Sequence, residues 1–308
     1  MNINRLALGL IAVSLLDQSK NLSLGQPIPI VNSGFESNII GQGAFSVLVP
    51  QGWTIYDPSF IINQNQNSVG VIRPDVPQSF FPTGAPEGVN AALVFLAGAQ
   101  NAVAGLQQTL PATLQANTRY RCSVQIGNIA SGTSLPGSAD GGNVFYNLNG
   151  FPGYRIDVLA GATVVGSDSN NIGATIPEGV FQQARFYFDT GPAPAQLSQP
   201  LGVRLVNLKF PATPGSPNIE VDFDDVRLSA GPIPVAATLS ISLLAAQPTL
   251  AITGTTGATY RVEYALSLPA TNWTTLTNMV LTASPQLLVD PQPLANQISR
   301  FFRAALVE

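Results

Sequence analysis

The main pattern along the chain is the alternation of apolar and polar residues in short segments separated by turn-forming clusters. It is clearest over 118–126, where Tyr120, Cys122, Val124 and Ile126 share one phase. A period of two indicates a strand with one buried face. No segment between 128 and 228 keeps a helical period, so the sequence predicts an all-β protein built as a sandwich or jelly roll.

The segment 219–228 departs from this pattern in an informative way. Apolar and acidic residues alternate over 219–223, Asp224 and Asp225 are then adjacent, and the apolar series resumes at Val226 one residue out of step. One extra residue in a strand predicts a β-bulge. Because four of the chain's 17 acidic residues fall in these ten positions, we expect the closing strand of the sandwich, with a carboxylate directed at a bound cation.

Two further stretches define the domain organisation. Residues 61–90 are polar and rich in proline, which predicts long surface loops. Residues 231–235 contain two prolines and predict a short, stiff linker. We therefore expect one domain over 26–230, and about seven short strands over 236–308 predict a small second sandwich of immunoglobulin type.

The first 25 residues have the pattern of a secretory signal peptide. A short, positively charged start ends at Arg5, and the apolar stretch from Leu6 to Leu16 is too short to span a bilayer. Small residues permit cleavage before Gln26. We expect a secreted protein without membrane insertion; the alternative is that this segment is an ordinary first helix.

Composition excludes several classes of function. The net charge is −4, only two lysines occur, and no basic stripe is present, so neither nucleic acid nor an anionic membrane is expected as a partner. Without histidine, the chain has no Ser-His-Asp triad and no histidine-ligated zinc. The single cysteine, Cys122, is in phase with apolar residues and is interpreted as a core residue.

Four landmarks together resemble the galactose-binding-like jelly rolls, which include several families of bacterial carbohydrate-binding modules. They are Asn32-x-Gly34-Phe35-Glu36, Gly52-Trp53, Leu114-x-x-Asn117-Thr118-x-Tyr120 and Phe223-Asp224-Asp225-Val226-Arg227-Leu228. The resemblance covers roughly 28–230 and implies a jelly roll. The tail, 236–308, is similar to small fibronectin- or immunoglobulin-like modules of secreted bacterial proteins, which implies a spacer, display or sorting module.

The same resemblance implies a structural calcium ion that joins the first strand to the last. The matching ligands are Glu36 and Asp224, with Asp225 as a candidate second carboxylate. Calcium prefers six to eight oxygen ligands, which these side chains and nearby carbonyls supply. The alternative is that Asp224 and Asp225 are solvated bulge residues bonded to loop amides.

Aromatic and amide side chains are the candidate ligand contacts, because sugar rings pack on aromatic faces and amides bind hydroxyl groups. One group precedes Tyr154 and comprises Phe145, Tyr146, Asn147, Asn149 and Phe151; the second comprises Trp53 and Tyr56. The alternative is that Phe145 and Phe151 fold under their loop. Trp53 is more typical of a core residue.

These patterns lead to an expected function. We expect a secreted, non-catalytic carbohydrate-binding or adhesive protein whose partners are a glycan or polysaccharide and cell-surface or matrix proteins. A first alternative is an extracellular, self-assembling structural protein without a sugar site. A second is a polysaccharide-active enzyme, which the sequence disfavours because no two carboxylates are visibly paired and because Tyr154 and Arg155, adjacent on a strand, face opposite sides.

Overall fold

The computed structural model describes residues 25–74, 80–98, 102–244, 247–291 and 300–307. The predicted signal peptide lies outside this range except for Gly25. The strands are β1 (Gln26–Ile28), β2 (Phe45–Ser46), β3 (Thr54–Tyr56), β4 (Ser68–Ile72), β5 (Ala91–Phe95), β6 (Ala104–Thr113), β7 (Thr118–Asn128), β8 (Gly132–Thr133), β9 (Phe145–Tyr146), β10 (Tyr154–Ala160), β11 (Thr163–Ser169), β12 (Val180–Asp189), β13 (Pro200–Asn207), β14 (Glu220–Pro232), β15 (Thr238–Leu244), β16 (Gln247–Thr253), β17 (Thr259–Ala265), β18 (Thr274–Val280), β19 (Gln286–Val289) and β20 (Phe301–Val307).

The larger part of the chain is a sandwich of two antiparallel sheets. One sheet has the order β12-β7-β14-β5-β4-β2, with β1 paired to the end of β14, and the other has the order β11-β10-β13-β6-β3. Alternate side chains of both sheets form the core between them, including the fully buried Tyr120, Tyr154 and Phe223, and Phe35 from the turn after β1 joins it. The predicted all-β jelly-roll sandwich is therefore confirmed.

The predicted bulge is present in β14. The register between β14 and β7 shifts between Asp224 and Arg227, and Asp225 has a φ of 48°. Before the bulge, Val221 and Phe223 point into the core. The acidic residues that alternate with them therefore point to the outer face of the sheet, where loops bury them.

The expectation of surface loops throughout 61–90 is wrong, because β4 lies inside this range and is almost wholly buried. Its Val69 and Val71 enter the core. At Gly70, an added Cβ would come within 1.8 Å of the Ser46 carbonyl oxygen, so only glycine permits this approach of the neighbouring chain. A five-residue strand between two polar runs is too short for its alternation to stand out from sequence.

The C-terminal strands form two small sheets, β15-β16-β19 and β18-β17-β20, around a core that includes Leu250 and Tyr260. Six strands are described here rather than about seven, because the strands expected near Trp273 and Val280 are one continuous β18. β14 extends to Pro232, so the predicted linker begins within a strand. Among the described residues, no helix is long and apolar enough to span a membrane.

Candidate active site

A small cleft lies on the outer face of the larger sheet, and its lining is mostly apolar and aromatic. Strands β4, β5 and β14 form one wall, and side chains from β2, β9 and the loops cover them. The lining residues are Phe45, Ser68, Ile72, Phe80, Leu93, Phe95, Ile129, Tyr146, Leu148 and Glu220. The free volume is about 50 Å³, which is room for one or two water molecules. A larger ligand therefore requires some of the rings to move apart.

Tyr146 lies at the centre of the aromatic lining. Its ring meets Phe45 edge to face at 6.0 Å between centroids and meets Phe95 in the same way at 6.2 Å. Its hydroxyl donates a hydrogen bond of 2.9 Å to Asp140 Oδ2. Aromatic rings in this arrangement offer both π faces and ring edges to a ligand.

Two buried carboxyl groups lie at this face of β14. Glu220 lines the cleft and is 5% exposed, and Asp222, two residues along the same strand face, is fully buried. Side chains two apart on a strand are about 7 Å apart. In the part of the chain that the structure describes, neither oxygen of Asp222 has a hydrogen-bond partner. An ionised carboxylate without a partner is costly in such a place, so the arrangement favours the protonated form.

The electrostatics of the pair agree with this arrangement. Burial raises the pKa of Glu220 from its ordinary 4.5 to about 8. Burial, and then the negative charge of Glu220, raise the pKa of Asp222 well above its ordinary value. Because the two groups interact, their protons belong to the pair rather than to either residue. At neutral pH the pair retains a proton that it can donate within an apolar, aromatic cleft.

We expect this pair to make the fold less stable as the pH rises. The unfolded chain releases the Glu220 proton near pH 4.5, but the folded chain holds it to about pH 8, so the folded state binds more protons between these values. Stability attributable to Glu220 is therefore complete below pH 4.5 and declines between pH 4.5 and about 8 by up to about 1.4 kcal/mol per pH unit. Chemical denaturation at pH 5, 6.5 and 8 measures this decline.

Glu220→Gln should lessen the decline, because the amide does not titrate. The matched control is Glu178→Gln, since Glu178 is exposed and its replacement should leave the pH profile of the wild type in place. A Glu220→Gln profile that coincides with the wild-type profile would show that the glutamic acid does not retain its proton.

A second group of acidic residues lies where the start of the chain meets β14. The Ser33 carbonyl accepts a hydrogen bond from the Val226 amide at 3.0 Å. Glu36 Oε1 accepts hydrogen bonds from the amides of Val89 and Asn90, at 2.9 and 2.8 Å. The loop before β5 thus contacts Glu36, and the same loop reaches Asp224.

Asp224 is fully buried at this junction. Its Oδ2 accepts a hydrogen bond of 2.8 Å from the Glu87 amide, and its Oδ1 accepts one of 2.6 Å from the Asp225 amide. A Cβ added to Gly34 would lie 1.7 Å from Glu87 Oε2 and 3.6 Å from Asp224 Oδ1, so both carboxylates approach the same point of the backbone. Burial raises the pKa of Asp224 to about 8, against the lowering effect of these amides.

The third predicted metal ligand is oriented differently. Asp225 accepts a hydrogen bond of 2.6 Å from Arg227 Nε and forms an ion pair with that guanidinium. Among the described residues, no group of three or more histidine, cysteine, aspartate or glutamate side chains is close enough to hold a metal ion. Glu36 and Asp224 contact one shared loop, whereas Asp225 is engaged by Arg227; the predicted ligand set stays a prediction.

The structure separates the candidate ligand contacts. Tyr146 lines the cleft, while its neighbour Phe145 is 66% exposed. Asn147 and Asn149 are exposed on the following loop. Phe151 packs near the ring of Tyr154, at 6.4 Å between centroids.

The second group does not join the first. Tyr56 lies in the other sheet, beneath the guanidinium of Arg204 at 4.0 Å from the ring centre. Trp53 is buried, as expected for a core residue, and its indole NH donates to the Asn32 carbonyl.

Sequence reasoning missed most of the cleft. The sequence pattern identifies Glu220 and Asp222 only as part of an acidic strand, although the period of two places them on one face. Loops that are distant in sequence bury these two side chains, and the pattern of the strand does not show that those loops cover it. Phe45, Phe80 and Phe95 come from three separate segments, and nothing in their local sequence connects them.

Comparisons with known proteins give one consistent result. A family model described as HpiC1-like, HpiC1 cyclase, matches residues 26–229. A cyclase from Fischerella sp., solved in its apo form, is 37% identical over 68% of this chain and 98% of its own, with a TM-score of 0.57. The C-terminal strands lie beyond the family match. No curated protein matches the chain.

Two of the similar structures contain indole ligands. The Stig cyclase Fisc from Fischerella sp. TAU, 37% identical over 68% of this chain and 98% of its own with a TM-score of 0.56, is in complex with (3Z)-3-(1-methyl-2-pyrrolidinylidene)-3H-indole. A cyclase from the same source, 36% identical over 67% of this chain and 98% of its own with a TM-score of 0.55, is in complex with 4-(1H-indol-3-yl)butan-2-one.

These findings correct the function expected from the sequence. The match is to a family of cyclases, not to carbohydrate-binding modules, and the expectation of a non-catalytic protein is wrong. The alternatives of a structural surface protein and a polysaccharide-active enzyme are wrong for the same reason. Glycans, polysaccharides and cell-surface or matrix proteins are also the wrong partners, because the relatives' ligands are small indole compounds. The landmarks indicated the jelly roll correctly, but many functions share such a fold.

Proposed function

This chain belongs to the HpiC1-like cyclase family, and from that premise we propose that it closes a ring in an indole-bearing small molecule by acid catalysis. The observation that carries the proposal is the buried carboxyl pair of Glu220 and Asp222 beside an aromatic cleft. A carboxylic acid kept neutral by burial is a general acid suited to neutral pH.

The proposed reaction uses the pair twice. A carboxyl group of the pair donates its proton to the substrate, which becomes a cation. An electron pair from an alkene or from the indole ring of the same molecule then forms the new carbon–carbon bond. The cyclised cation finally returns a proton to the carboxylate. The product is an isomer of the substrate, so neither oxidant nor reductant is consumed.

The cleft suits this chemistry in two respects. Aromatic rings at Phe45, Phe80, Phe95 and Tyr146 provide flat apolar surfaces for an indole and π faces for a transient cation. The mostly apolar lining offers few hydrogen-bond partners to water, which would protect the cation from capture before the ring closes.

Incubation of the purified protein with a 3-substituted indole that carries an alkenyl side chain tests the proposal. We expect a product of unchanged mass with one additional ring, detected by liquid chromatography with mass spectrometry and NMR. The matched control, Glu178→Gln, should convert the substrate at the wild-type rate, because Glu178 is exposed. Recovery of unchanged substrate across a panel of alkenyl indoles that bind to the folded protein would contradict the proposal.

We also propose that a structural calcium ion binds beside Gly34, between the carboxylates of Glu87 and Asp224, with Glu36 bonded to the same loop as Asp224. The donor set suits a hard cation, because the Glu87 and Asp224 carboxylates approach one point of the backbone. A bound cation would favour the ionised form of Asp224, which burial otherwise disfavours. When bound, the ion contributes stability by joining the start of the chain to β14.

We further propose that residues 1–25 direct export and are removed before Gln26. The apolar stretch from Leu6 to Leu16 supports this proposal, and so does the position of β1, which begins at Gln26. Mass spectrometry of the intact protein from the native host tests it. Retention of Met1 or of the first 25 residues in the mature protein would contradict it.

A further inference from the structure

One hydrogen bond in the cleft wall, between Tyr146 and Asp140, has no part in the proposed proton transfer. The Tyr146 hydroxyl donates a hydrogen bond to Asp140 Oδ2 and not to a carboxyl group of the pair. The same oxygen accepts a hydrogen bond of 2.7 Å from Ser134 Oγ, and Asp140 Oδ1 accepts one of 2.8 Å from the Gly142 amide. Burial alone would raise the pKa of Asp140, but these hydrogen bonds outweigh it and lower the pKa. Asp140 is therefore a charged acceptor.

The loop that carries Asp140 is held firmly in place. The Ala139 amide donates to the Phe45 carbonyl at 2.9 Å, which joins the loop to strand β2. At Gly142 the φ is +88°, and an added Cβ would come within 2.7 Å of the Pro136 nitrogen, so the turn is tight and requires glycine. Asp140 is thereby fixed relative to the aromatic cleft.

Tyr146 differs from the other rings of the cleft because it has a polar attachment. Phe45, Phe80 and Phe95 are held by apolar contacts alone, whereas Tyr146 is tethered by a charge-assisted hydrogen bond. Since the cleft holds only about 50 Å³ of free volume, ligand entry requires ring movement. The phenylalanine rings can move without breaking a hydrogen bond, and Tyr146 cannot.

We propose that Asp140 is a positioning residue that holds Tyr146 as the fixed aromatic wall of the cleft, where the ring stabilises the positive charge formed on the substrate. This inference rests on the proposed function. A phenol that donates to a carboxylate gains electron density at its oxygen, and its ring becomes more negative. A more negative ring attracts a cation more strongly, while a neutral ligand gains little. Burial and then Asp140 raise the pKa of Tyr146 to about 12, so the phenol keeps its proton and the tether persists at neutral pH.

Two indole probes of different charge separate this role from ordinary packing. 4-(1H-Indol-3-yl)butan-2-one is neutral, whereas (3Z)-3-(1-methyl-2-pyrrolidinylidene)-3H-indole is a vinylogous amidine that accepts a proton and becomes a delocalised cation. Calorimetric titration of each probe gives the ratio of the two affinities. We expect Tyr146→Phe to lower the preference for the basic probe by about three- to tenfold, because the ring remains while its tether and oxygen are lost.

Asp140→Asn should lower the same preference to a similar extent, because it removes the charge that polarises the phenol. In the Tyr146→Phe background, Asp140→Asn should cause no further change. Ser134→Ala is the control, since it removes the other hydroxyl donor to Asp140 Oδ2 and the acceptor of the Val144 amide. Because it keeps the Asp140 charge and the Tyr146 phenol, the preference should stay near the wild-type value. Should Asp140→Asn fail to fold, Tyr146→Phe tests the inference without it.

The outcomes are distinguishable. If Tyr146→Phe and Asp140→Asn both bind the two probes with the wild-type ratio of affinities, the role proposed for Asp140 is contradicted. The proposed function would not be affected by that result. A further loss from Asp140→Asn in the Tyr146→Phe background would also contradict that role, because Asp140 would then act by another route. Failure of the wild-type protein to bind either probe would instead contradict the proposed function.

Discussion

Asp222→Asn and Glu220→Gln are each expected to reduce turnover of an alkenyl indole by about 10²- to 10⁴-fold. An amide has nearly the shape of the carboxyl group but cannot donate an acidic proton. Because the two groups titrate as a pair, loss of either also changes the pKa of the other. The variant with the larger loss of kcat identifies the carboxyl group that meets the substrate.

The same variants should fold at least as stably as the wild type. Neither oxygen of Asp222 has a hydrogen-bond partner within the described residues, and a neutral amide there avoids a buried charge. Lower activity with unchanged or higher stability is the pattern expected of a functional residue that costs stability. Glu178→Gln should change neither property. Full activity in both amide variants would contradict acid catalysis by this pair.

Removal of calcium is expected to lower the melting temperature of the larger domain by roughly 5–10 °C. A ligand present at about 100 times its Kd stabilises the folded state by about 2.7 kcal/mol. For a domain of this size each kcal/mol corresponds to roughly 2–4 °C. Thermal melting in excess EGTA, and after calcium is restored, measures the effect.

Two variants test where the ion binds. Asp224→Asn removes a buried ligand and should abolish the difference between the calcium and EGTA curves. Gly34→Ala keeps every charge, but its Cβ would displace the flexible Glu87 carboxylate, so the difference should be reduced. Melting curves that coincide with and without EGTA in the wild-type protein would contradict the calcium proposal.

The closing strand, β14, shows which features of the site can be predicted from the sequence pattern and which cannot. Alternation over 219–223 and the adjacent aspartates predicted both the strand and its bulge, and both are present. β14 lies between β7 and β5 in the sheet, and Val221 and Phe223 both face the core. The residues at these positions therefore have to be apolar. The same pattern placed Glu220 and Asp222 together on the opposite face, but it did not show that this face is covered.

Burial of that face changed the chemistry of the site. On an exposed sheet, Glu220 would have an ordinary pKa and the acidic strand would be a solvated surface. The loop with Tyr146 and the segment at Phe80 cover it instead, and desolvation then favours the protonated carboxyl groups. Local sequence shows which residues are charged but not which are exposed to solvent, so the acidic strand by itself does not indicate a buried acid.

The sequence by itself determined the all-β class, the alternating core, the bulge and the absence of histidine chemistry. Each follows from local residue order or composition, since strand period, turn residues and available functional groups are properties of short segments. Only the tertiary structure decided which acidic residues are buried and which aromatic rings meet them. Phe45, Phe95, Tyr146 and Glu220 lie far apart in the chain, and their chemistry depends on a dielectric environment that exists only after the loops pack on the sheet.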